Sequence, residues 1–327
     1  MLKQISLLIL CAVAIVFFAT PVHACTSAVV SGKVTPDGRP LLWKNRDTDF
    51  MQNHIDYVKG EKYNFIAVVN SANAYLKEAW MGTNSAGFAL MNTQSYNLVD
   101  VKGDEERGAA NGRVIYRALE VCATVEDFCH FLDTISKPSD IEANFGVIDA
   151  QGGAAMFEVD YYKYVMYDAN NPKDAPYGYI ARTNFSFAGK VNEGAGYVRY
   201  MEADQVLMKA SATGSITPQF IFNDLSRSFR NRMLDIDLRS GVYNRPQASG
   251  WFVDQDFIPR SSTSCSVVVQ GVKPGEKAEL TTMWTLLGYP PTGIAVPLWV
   301  KDAGKLLPGM VRFNKEHEAA LLSDWSL

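Results

Sequence analysis

The sequence predicts an α+β fold in which antiparallel sheets are covered by helices. Three observations lead to this prediction: short apolar runs come in blocks, pairs of helical segments separate the blocks, and hairpin-type turns join neighbouring runs. Strands and helices grouped in blocks are typical of α+β folds, whereas strict alternation indicates a parallel sheet. With 327 residues, the chain is long enough to bury a large core.

The predicted strands are aliphatic or aromatic runs, most of them bounded by Gly, Asn or Asp. Residues 26–31 and 39–47 flank the turn sequence Thr35-Pro-Asp-Gly38, which predicts a β-hairpin. The segment "DAQGG" joins two later runs and predicts a second hairpin. The other predicted strands are residues 65–69, 87–92, 144–149, 154–160, 164–168 and 179–183, and the alternating run "STSCSVVVQG" that contains Cys265.

The helical segments fall between these blocks. Residues 108–122 and 125–136 carry apolar side chains at helical spacing and are predicted to form a pair of helices. Thr124-Val-Glu-Asp127 has the pattern of a capping box at the start of the second helix. A later helix is predicted to begin at Thr217-Pro218, with threonine as N-cap and proline in the first turn.

The cysteine spacing and the charge exclude several functions. Cys122 and Cys129 flank the corner between the paired helices, and the sequence leaves open whether they form a disulfide. No cysteine has the spacing of a metal site, so we expect neither a metal nor another cofactor. The net charge is −4, and no basic stripe is present, so we do not expect a nucleic acid as partner.

The first residues have the layout of a secretory signal peptide. Lys3 precedes an uncharged apolar core at residues 7–18, and Ala24 provides the small residue at the end of a cleavage site. We therefore expect a signal peptide over 1–24, one domain over 25–327, and a secreted or periplasmic product. The apolar core is shorter than the roughly 20 residues of a membrane-spanning helix, and the sequence has no second apolar span, so we expect no stable membrane insertion after cleavage.

Cleavage after Ala24 would make Cys25 the first residue, with a thiol and a free amine. Because their ordinary pKa values are about 8.5 and about 8, the amine can accept the thiol proton and act as general base. The predicted hairpin brings Lys44, Arg46 and Asp47 back beside Cys25. A carboxylate can orient the amine and a cation favours the thiolate, so the pattern indicates nucleophilic catalysis without a histidine.

A second interpretation follows from the same position. If a lipoprotein peptidase made the cut, Cys25 would carry a lipid and an acylated amine, and the product would be a lipid-anchored binding or structural protein. His23 fits the small-residue position of such a site poorly, whereas Ala24 satisfies an ordinary signal peptidase. The sequence therefore favours the free cysteine.

The segments "CTSAVV", "PDG" and "WKNRD" together resemble the N-terminal-nucleophile (Ntn) linear amide hydrolases. These include choloylglycine (bile salt) hydrolases, penicillin V acylases and acyl-CoA:6-aminopenicillanate acyltransferase-like proteins, and "WKNRD" is nearest to the last. The resemblance extends from residue 25 to about residue 290. It implies a four-layer αββα sandwich, with residues 25–327 as a single catalytic domain.

The resemblance implies roles for the residues of the first hairpin. Cys25 matches the nucleophile, and Asp47 matches the aspartate that holds its amino group. Lys44 falls where bile salt hydrolases have an arginine near the thiol. Arg46 is the alternative cation, and the resemblance does not decide between the two.

Three later residues also match the family. Asn92 in "NSAGFALMNTQSYN" matches an oxyanion-hole asparagine, Asn184 in "YIARTNFSF" matches the second asparagine, and Arg199 in "GYVRY" matches a later arginine. Side-chain amides at these two asparagines are suited to donate to the oxyanion of an acyl-transfer intermediate.

We therefore expect an exported cysteine hydrolase or acyltransferase that acts on carbon–nitrogen bonds of linear non-peptide amides through a thioester on Cys25. Its partner would be a small acyl amide of the bile-salt, penicillin V or N-acyl amino acid type. The sequence does not decide among these substrates, between hydrolysis and transfer, or whether the chain forms a homo-oligomer.

Overall fold

A computed structural model describes residues 24–99, 108–242 and 254–327. The predicted signal peptide, except for Ala24, lies outside the described residues. The strands are, in chain order, β1 (Cys25–Val30), β2 (Leu41–Asp47), β3 (Asn53–Val58), β4 (Phe65–Asn70), β5 (Met81–Asn84), β6 (Ala89–Gln94), β7 (Ala143–Ile148), β8 (Ala154–Val159), β9 (Tyr164–Asp168), β10 (Tyr179–Arg182), β11 (Arg230–Asn231), β12 (Ile236–Asp237), β13 (Thr263–Gln270), β14 (Thr282–Leu287) and β15 (Val296–Leu298).

The helices are α1 (Asn111–Val121), α2 (Val125–Thr134), α3 (Tyr197–Ala212), α4 (Pro218–Phe220), α5 (Ala303–Leu306) and α6 (Leu321–Ser326). Helices α1 and α2 confirm the predicted pair, and the capping box of Thr124 is formed. Thr217 caps α4 as predicted, but the chain continues as a π-helical turn over Ile221–Leu225. Within the described ranges, no helix combines the length and the apolar character needed to cross a membrane.

A second pair of helices was predicted after the later strands, but without bounds for its first member, α3. Its buried residues include Arg199 and Glu202 beside Ala203 and Leu207. Two charged residues on the buried side interrupt the apolar periodicity by which an amphipathic helix is recognised. The bounds of α3 are therefore visible only in the folded structure, where Arg199 contacts the first strand.

Two antiparallel sheets form the centre of the molecule. The first sheet has the strand order β10-β1-β2-β13-β14-β15, and the second has the order β3-β4-β5-β6-β7-β8-β9. Strands β1 and β2 form the predicted opening hairpin, and β7 and β8 form the predicted "DAQGG" hairpin. Strands β11 and β12 form a separate two-stranded ribbon.

Three apolar clusters show how the layers are stacked. One cluster lies between the two sheets and includes Val29, Leu42 and Met91. A second packs the outer face of the second sheet against α1 and α2, and a third packs the outer face of the first sheet, with Trp43, against α3 and α4. The order helix, sheet, sheet, helix confirms the predicted αββα sandwich.

The first hairpin sorts its polar side chains between two layers. In the register of β1 and β2, Cys25 is the partner of Arg46, and Ser27 is the partner of Lys44. Because side chains alternate along a strand, Cys25, Lys44 and Arg46 face the second sheet, and Asp47 faces the helices. The hairpin thus places the thiol and two cations on one face, between the sheets.

Candidate active site

Cys25 is the first residue of β1, and its side chain lines a cavity of about 390 Å³ at the edge of the two sheets. The residue is 7% exposed. Lys44, Arg46, Trp80 and Asn92 line the same cavity. The structure therefore brings the predicted nucleophile, both candidate cations and the first asparagine together.

The backbone nitrogen of Cys25 donates to Asn184 Oδ1 at 3.0 Å. The same oxygen accepts from Arg199 Nη2 at 2.9 Å, and Asn184 Nδ2 donates to the carbonyl of Gln94 at 2.8 Å. These contacts fix the orientation of the amide. Asn184 thus presents its acceptor to Cys25, which differs from the expectation that it would serve as an oxyanion donor.

Arg199 lies on the helix side of the first sheet and is 1% exposed. Its Nη1 donates to the carbonyl of Cys25 at 2.7 Å and to Thr26 Oγ1 at 2.8 Å. Burial lowers the pKa of Arg199 to about 10, so the side chain stays protonated at neutral pH. No described carboxylate forms an ion pair with it, and its charge acts on the main chain of Cys25 and on Asn184.

The Asp47 carboxylate is held by residues that precede and begin β13. Its Oδ2 accepts from Arg260 Nε at 3.1 Å and from Arg260 Nη2 at 2.8 Å, and its Oδ1 accepts from Thr263. The Cys25 thiol lies 4.0 Å from the carbonyl oxygen of Asp47. The structure thus places Asp47 beside Cys25, but its carboxylate bonds to Arg260 and not to the Cys25 nitrogen.

Sequence analysis missed Arg260. The only signal was its position shortly before the strand-like run "STSCSVVVQG". Strand β13 pairs with β2, and Thr263 is the partner of Asp47. This pairing joins segments far apart in the chain, and no local pattern predicts it.

Lys44 and Asn92 form a pair across the cavity. Lys44 Nζ donates to Asn92 Oδ1 at 3.0 Å and to the carbonyl of Trp80 at 3.1 Å. Because an ammonium group only donates, it holds the oxygen of Asn92 toward itself. The Nδ2 group of Asn92 has no hydrogen-bond partner among the described residues, so it can donate to a ligand in the cavity.

The two cations have different surroundings. Burial lowers the pKa of Lys44, and the charge of the Cys25 thiolate opposes that shift. Arg46 donates through Nη1 to Asn53 and through Nη2 to Asn70 at 2.8 Å, and its guanidinium lies 4.7 Å from the ring centre of Trp80. Lys44 therefore orients Asn92, whereas Arg46 is held by Asn53 and Asn70; both cations lie near Trp80.

Of the other described cysteines, Cys122 and Cys265 are buried and Cys129 is half-buried. Cys122 and Cys129 are both free thiols, so the bridge that the sequence left open is not formed. Burial raises the pKa of Cys122 to about 12 and that of Cys265 to about 11, which keeps both protonated at neutral pH. Within the described ranges, no group of three or more His, Cys, Asp and Glu side chains is arranged to bind a metal ion.

A cysteine that begins a central strand of an αββα sandwich, with its nitrogen held by an asparagine, has the arrangement of an N-terminal-nucleophile enzyme. The family model "Acyl-coenzyme A:6-aminopenicillanic acid acyl-transferase" matches residues 34–210. The chain therefore belongs to this family, which confirms the resemblance to Ntn linear amide hydrolases. The match contains Lys44, Asp47, Asn92, Asn184 and Arg199 and begins after Cys25.

The chain is also similar to a number of solved structures, among them the following three. Penicillin V acylase from Agrobacterium tumefaciens is 15% identical, with 84% of this chain and 86% of that chain covered and a TM-score of 0.43. A variant of conjugated bile acid hydrolase from Clostridium perfringens is 12% identical, with coverages of 85% and 93% and a TM-score of 0.49. The Caenorhabditis elegans N-acylethanolamine-hydrolyzing acid amidase ortholog is 15% identical, with coverages of 61% and 89% and a TM-score of 0.41. No curated protein matches the sequence.

Proposed function

We propose that the protein is an N-terminal cysteine amidohydrolase or acyltransferase that cleaves the carbon–nitrogen bond of a linear amide through a thioester on Cys25. Family membership and the cavity beside Cys25 support this function. The observation that carries it is the 3.0 Å hydrogen bond between the Cys25 nitrogen and Asn184 Oδ1. That contact fixes the position of the Cys25 backbone nitrogen, which cleavage after Ala24 would convert into a free amine that can act as a base.

In the first half of the reaction, the free amine of Cys25 takes the thiol proton and Sγ attacks the substrate carbonyl carbon. The ammonium group then gives its proton to the leaving nitrogen as the carbon–nitrogen bond breaks. The acyl group remains on Sγ as a thioester, and the amine product departs. In the second half, water or an acceptor amine attacks the thioester, and its proton passes to the Cys25 amine and then to the departing sulfur.

Two neighbouring groups assist these steps. The Nδ2 group of Asn92 donates to the oxyanion of each tetrahedral intermediate. Arg199 lies behind the amine, hydrogen-bonded to the carbonyl of Cys25 and to Asn184. A nearby positive charge disfavours the protonated form of the amine, so Arg199 keeps a larger fraction of it as free base at neutral pH.

The signal peptide and export belong to the same proposal. The layout of residues 1–24 supports cleavage by signal peptidase and a secreted or periplasmic product. Ala24 is 1% exposed in the folded chain, so a peptidase cannot reach the bond to Cys25 once the domain has folded. Cleavage during export, before folding, removes this difficulty.

Intact mass and N-terminal sequencing of the protein from its own cell test the proposal first. We expect an unmodified chain that begins Cys25-Thr26-Ser27, whereas a lipid on Cys25 would establish the lipoprotein alternative. A panel of acyl amides is then tested with the wild type, Cys25→Ser and Cys25→Ala. Turnover of some amide by the wild type and loss of that turnover in Cys25→Ala is the expected result, and equal turnover by all three proteins would refute the thiol mechanism.

A further inference from the structure

Among the residues that the structure describes, three cations and one carboxylate line the cavity beside Cys25. They are Lys44, Arg46, Arg113 and Glu78. Glu78 pairs with Arg113 at 3.4 Å, and the Arg113 side chain is half exposed at 54%. Lys44 and Arg46 are each 3% exposed, and neither lies within ion-pair distance of a described carboxylate. The charges of Cys25 and Asp47, and for Arg46 also that of Glu78, offset part of the cost of burying these cations. Because neither cation has a direct ion pair, both positions can still favour a negatively charged ligand.

The Arg46 side chain has its position fixed before any ligand binds. Asn53 and Asn70 each accept one of its hydrogen bonds, and the guanidinium plane lies over Trp80. Both asparagine oxygens are uncharged, so they orient the guanidinium without neutralising it. An arginine carries five N–H groups, and in the described part of the chain only two of those of Arg46 are used. The remaining donors suit the two oxygens of a carboxylate.

The position of Arg46 relates this charge to the reacting bond. Arg46 is the direct partner of Cys25 in the β1–β2 register, and the two side chains lie on the same face. Side chains of such pairs begin about 5 Å apart, and both residues line the same cavity, so one small ligand can contact the Cys25 thiol and the Arg46 guanidinium together. Lys44 is not the anchor for this group, because its ammonium already bonds to Asn92 and Trp80.

We propose that Arg46 forms a carboxylate subsite, and that the substrates are amides with a carboxylate a few bonds from the scissile carbonyl. This inference rests on the proposed function. The carboxylate can belong to the amine part, as in an N-acyl amino acid, or to the acyl part, as in the half-amide of a dicarboxylic acid. Both place the same anion within reach of Arg46, and the experiment distinguishes them.

The test measures binding to mature Cys25→Ala, which cannot turn the ligand over. The probes are N-phenylacetylglycine with its methyl ester, and glutaric acid monobenzylamide with its methyl ester, titrated by calorimetry. We expect the acid of at least one pair to bind about 10- to 100-fold more tightly than its ester, the range of a charge-assisted hydrogen-bond pair. The pair that shows the difference identifies the side that carries the carboxylate.

Two further substitutions in the Cys25→Ala chain locate the effect. Arg46→Gln should bring the acid's affinity down to that of its ester, and Arg113→Gln, the matched loss of a cation from the same cavity, should leave the preference within about twofold. If Arg46→Gln melts well below its parent, Arg46→Lys replaces it, because that variant keeps the charge but loses the planar fork. It should lose at least part of the preference.

Three results would overturn the subsite. They are equal affinity for acid and ester in both pairs, no binding of any probe, and a preference for the acid that survives Arg46→Gln. Turnover by the wild type separates this failure from failure of the proposed function. If the wild type cleaves neutral and acidic amides at equal rates and this cleavage depends on the thiol, the subsite proposal is wrong and the proposed enzymatic function stands. If acids bind in an Arg46-dependent way but no turnover depends on Cys25, the subsite proposal stands and the proposed enzymatic function is wrong.

Discussion

The bond between Lys44 and Asn92 predicts a specific non-additive effect on catalysis. Asn92→Ala removes the one cavity-facing side-chain amide that we assign to the oxyanion. Loss of a single preorganised oxyanion donor lowers kcat by about 10²- to 10³-fold, or about 3–4 kcal/mol. We expect a decrease of that size with little change in KM, because the donor acts on the intermediate more than on the bound amide.

Lys44→Met should act largely through the same amide. The substitution removes the ammonium that bonds to Asn92 Oδ1 at 3.0 Å and keeps a flexible apolar stem of similar length. A hydrogen bond from a charged donor contributes about 1.5–3 kcal/mol, so losing control of the amide orientation should lower kcat about 10- to 100-fold. In the Asn92→Ala variant this amide is already absent, so the additional substitution Lys44→Met should lower kcat much less.

The assay is a double-mutant cycle on initial rates, with the amide identified in the substrate panel. It compares the wild type, Asn92→Ala, Lys44→Met and the double variant, and thermal melting shows that each is folded. We expect a coupling free energy of about 1–2 kcal/mol. Lys44→Arg, which restores a donor and a charge, should recover part of the rate. Strict additivity, or an Asn92→Ala variant within about fivefold of the wild type, would refute the assignment of Asn92 and its dependence on Lys44.

Three further outcomes follow from buried groups. Arg260→Met leaves the Asp47 carboxylate buried without its cation. Urea unfolding should show a decrease of about 3–5 kcal/mol in the free energy of unfolding, and a smaller decrease for Arg260→Lys. An unchanged unfolding midpoint would contradict the pairing. Burial lowers the pKa of His54 below its ordinary value of about 6.5, so the unfolded chain takes up a proton at this residue before the folded chain does. The free energy of unfolding should therefore decrease as the pH falls from about 6.5 to 5. Denaturation at both pH values should show a smaller decrease for His54→Gln. Iodoacetamide at pH 8 should label Cys25 and spare Cys122, because the pKa of Cys122 is about 12. Peptide mapping after labelling of the folded protein tests this order, and labelling of Cys122 before Cys25 would contradict it.

The sequence predicted the parts of the structure that depend on local chemistry. The "TPDG" turn predicts the first hairpin, and its register then places Lys44, Arg46 and Asp47 next to Cys25. The capping box at Thr124 and the "DAQGG" turn are equally local, and both are present in the structure. In each case the residues that determine the conformation lie within a few positions of one another.

Long-range contacts were not predictable from such patterns. Arg260 reaches Asp47 because β13 pairs with β2, and the register of two distant strands is fixed by the whole sheet rather than by the sequence of either strand. The orientation of Asn184 is a second example. Its position directly after the predicted strand 179–183 follows from the sequence, but the direction of its amide depends on Arg199 and on the carbonyl of Gln94, which approach from other elements.

The position of Cys25 at the start of a strand explains how one residue can serve two roles in the proposed mechanism. The Cys25 side chain points between the sheets toward Asn92, while its main chain faces Asn184 and Arg199 at the edge of the first sheet. A shift of one residue would turn the thiol toward the helices, since neighbouring side chains lie on opposite faces. Retention of Ala24 would keep the thiol in place, but it would leave the nitrogen as an amide that cannot accept a proton. The proposed mechanism therefore requires both the strand register and a chain that begins at Cys25, because each alone supplies only half of the nucleophile–base pair.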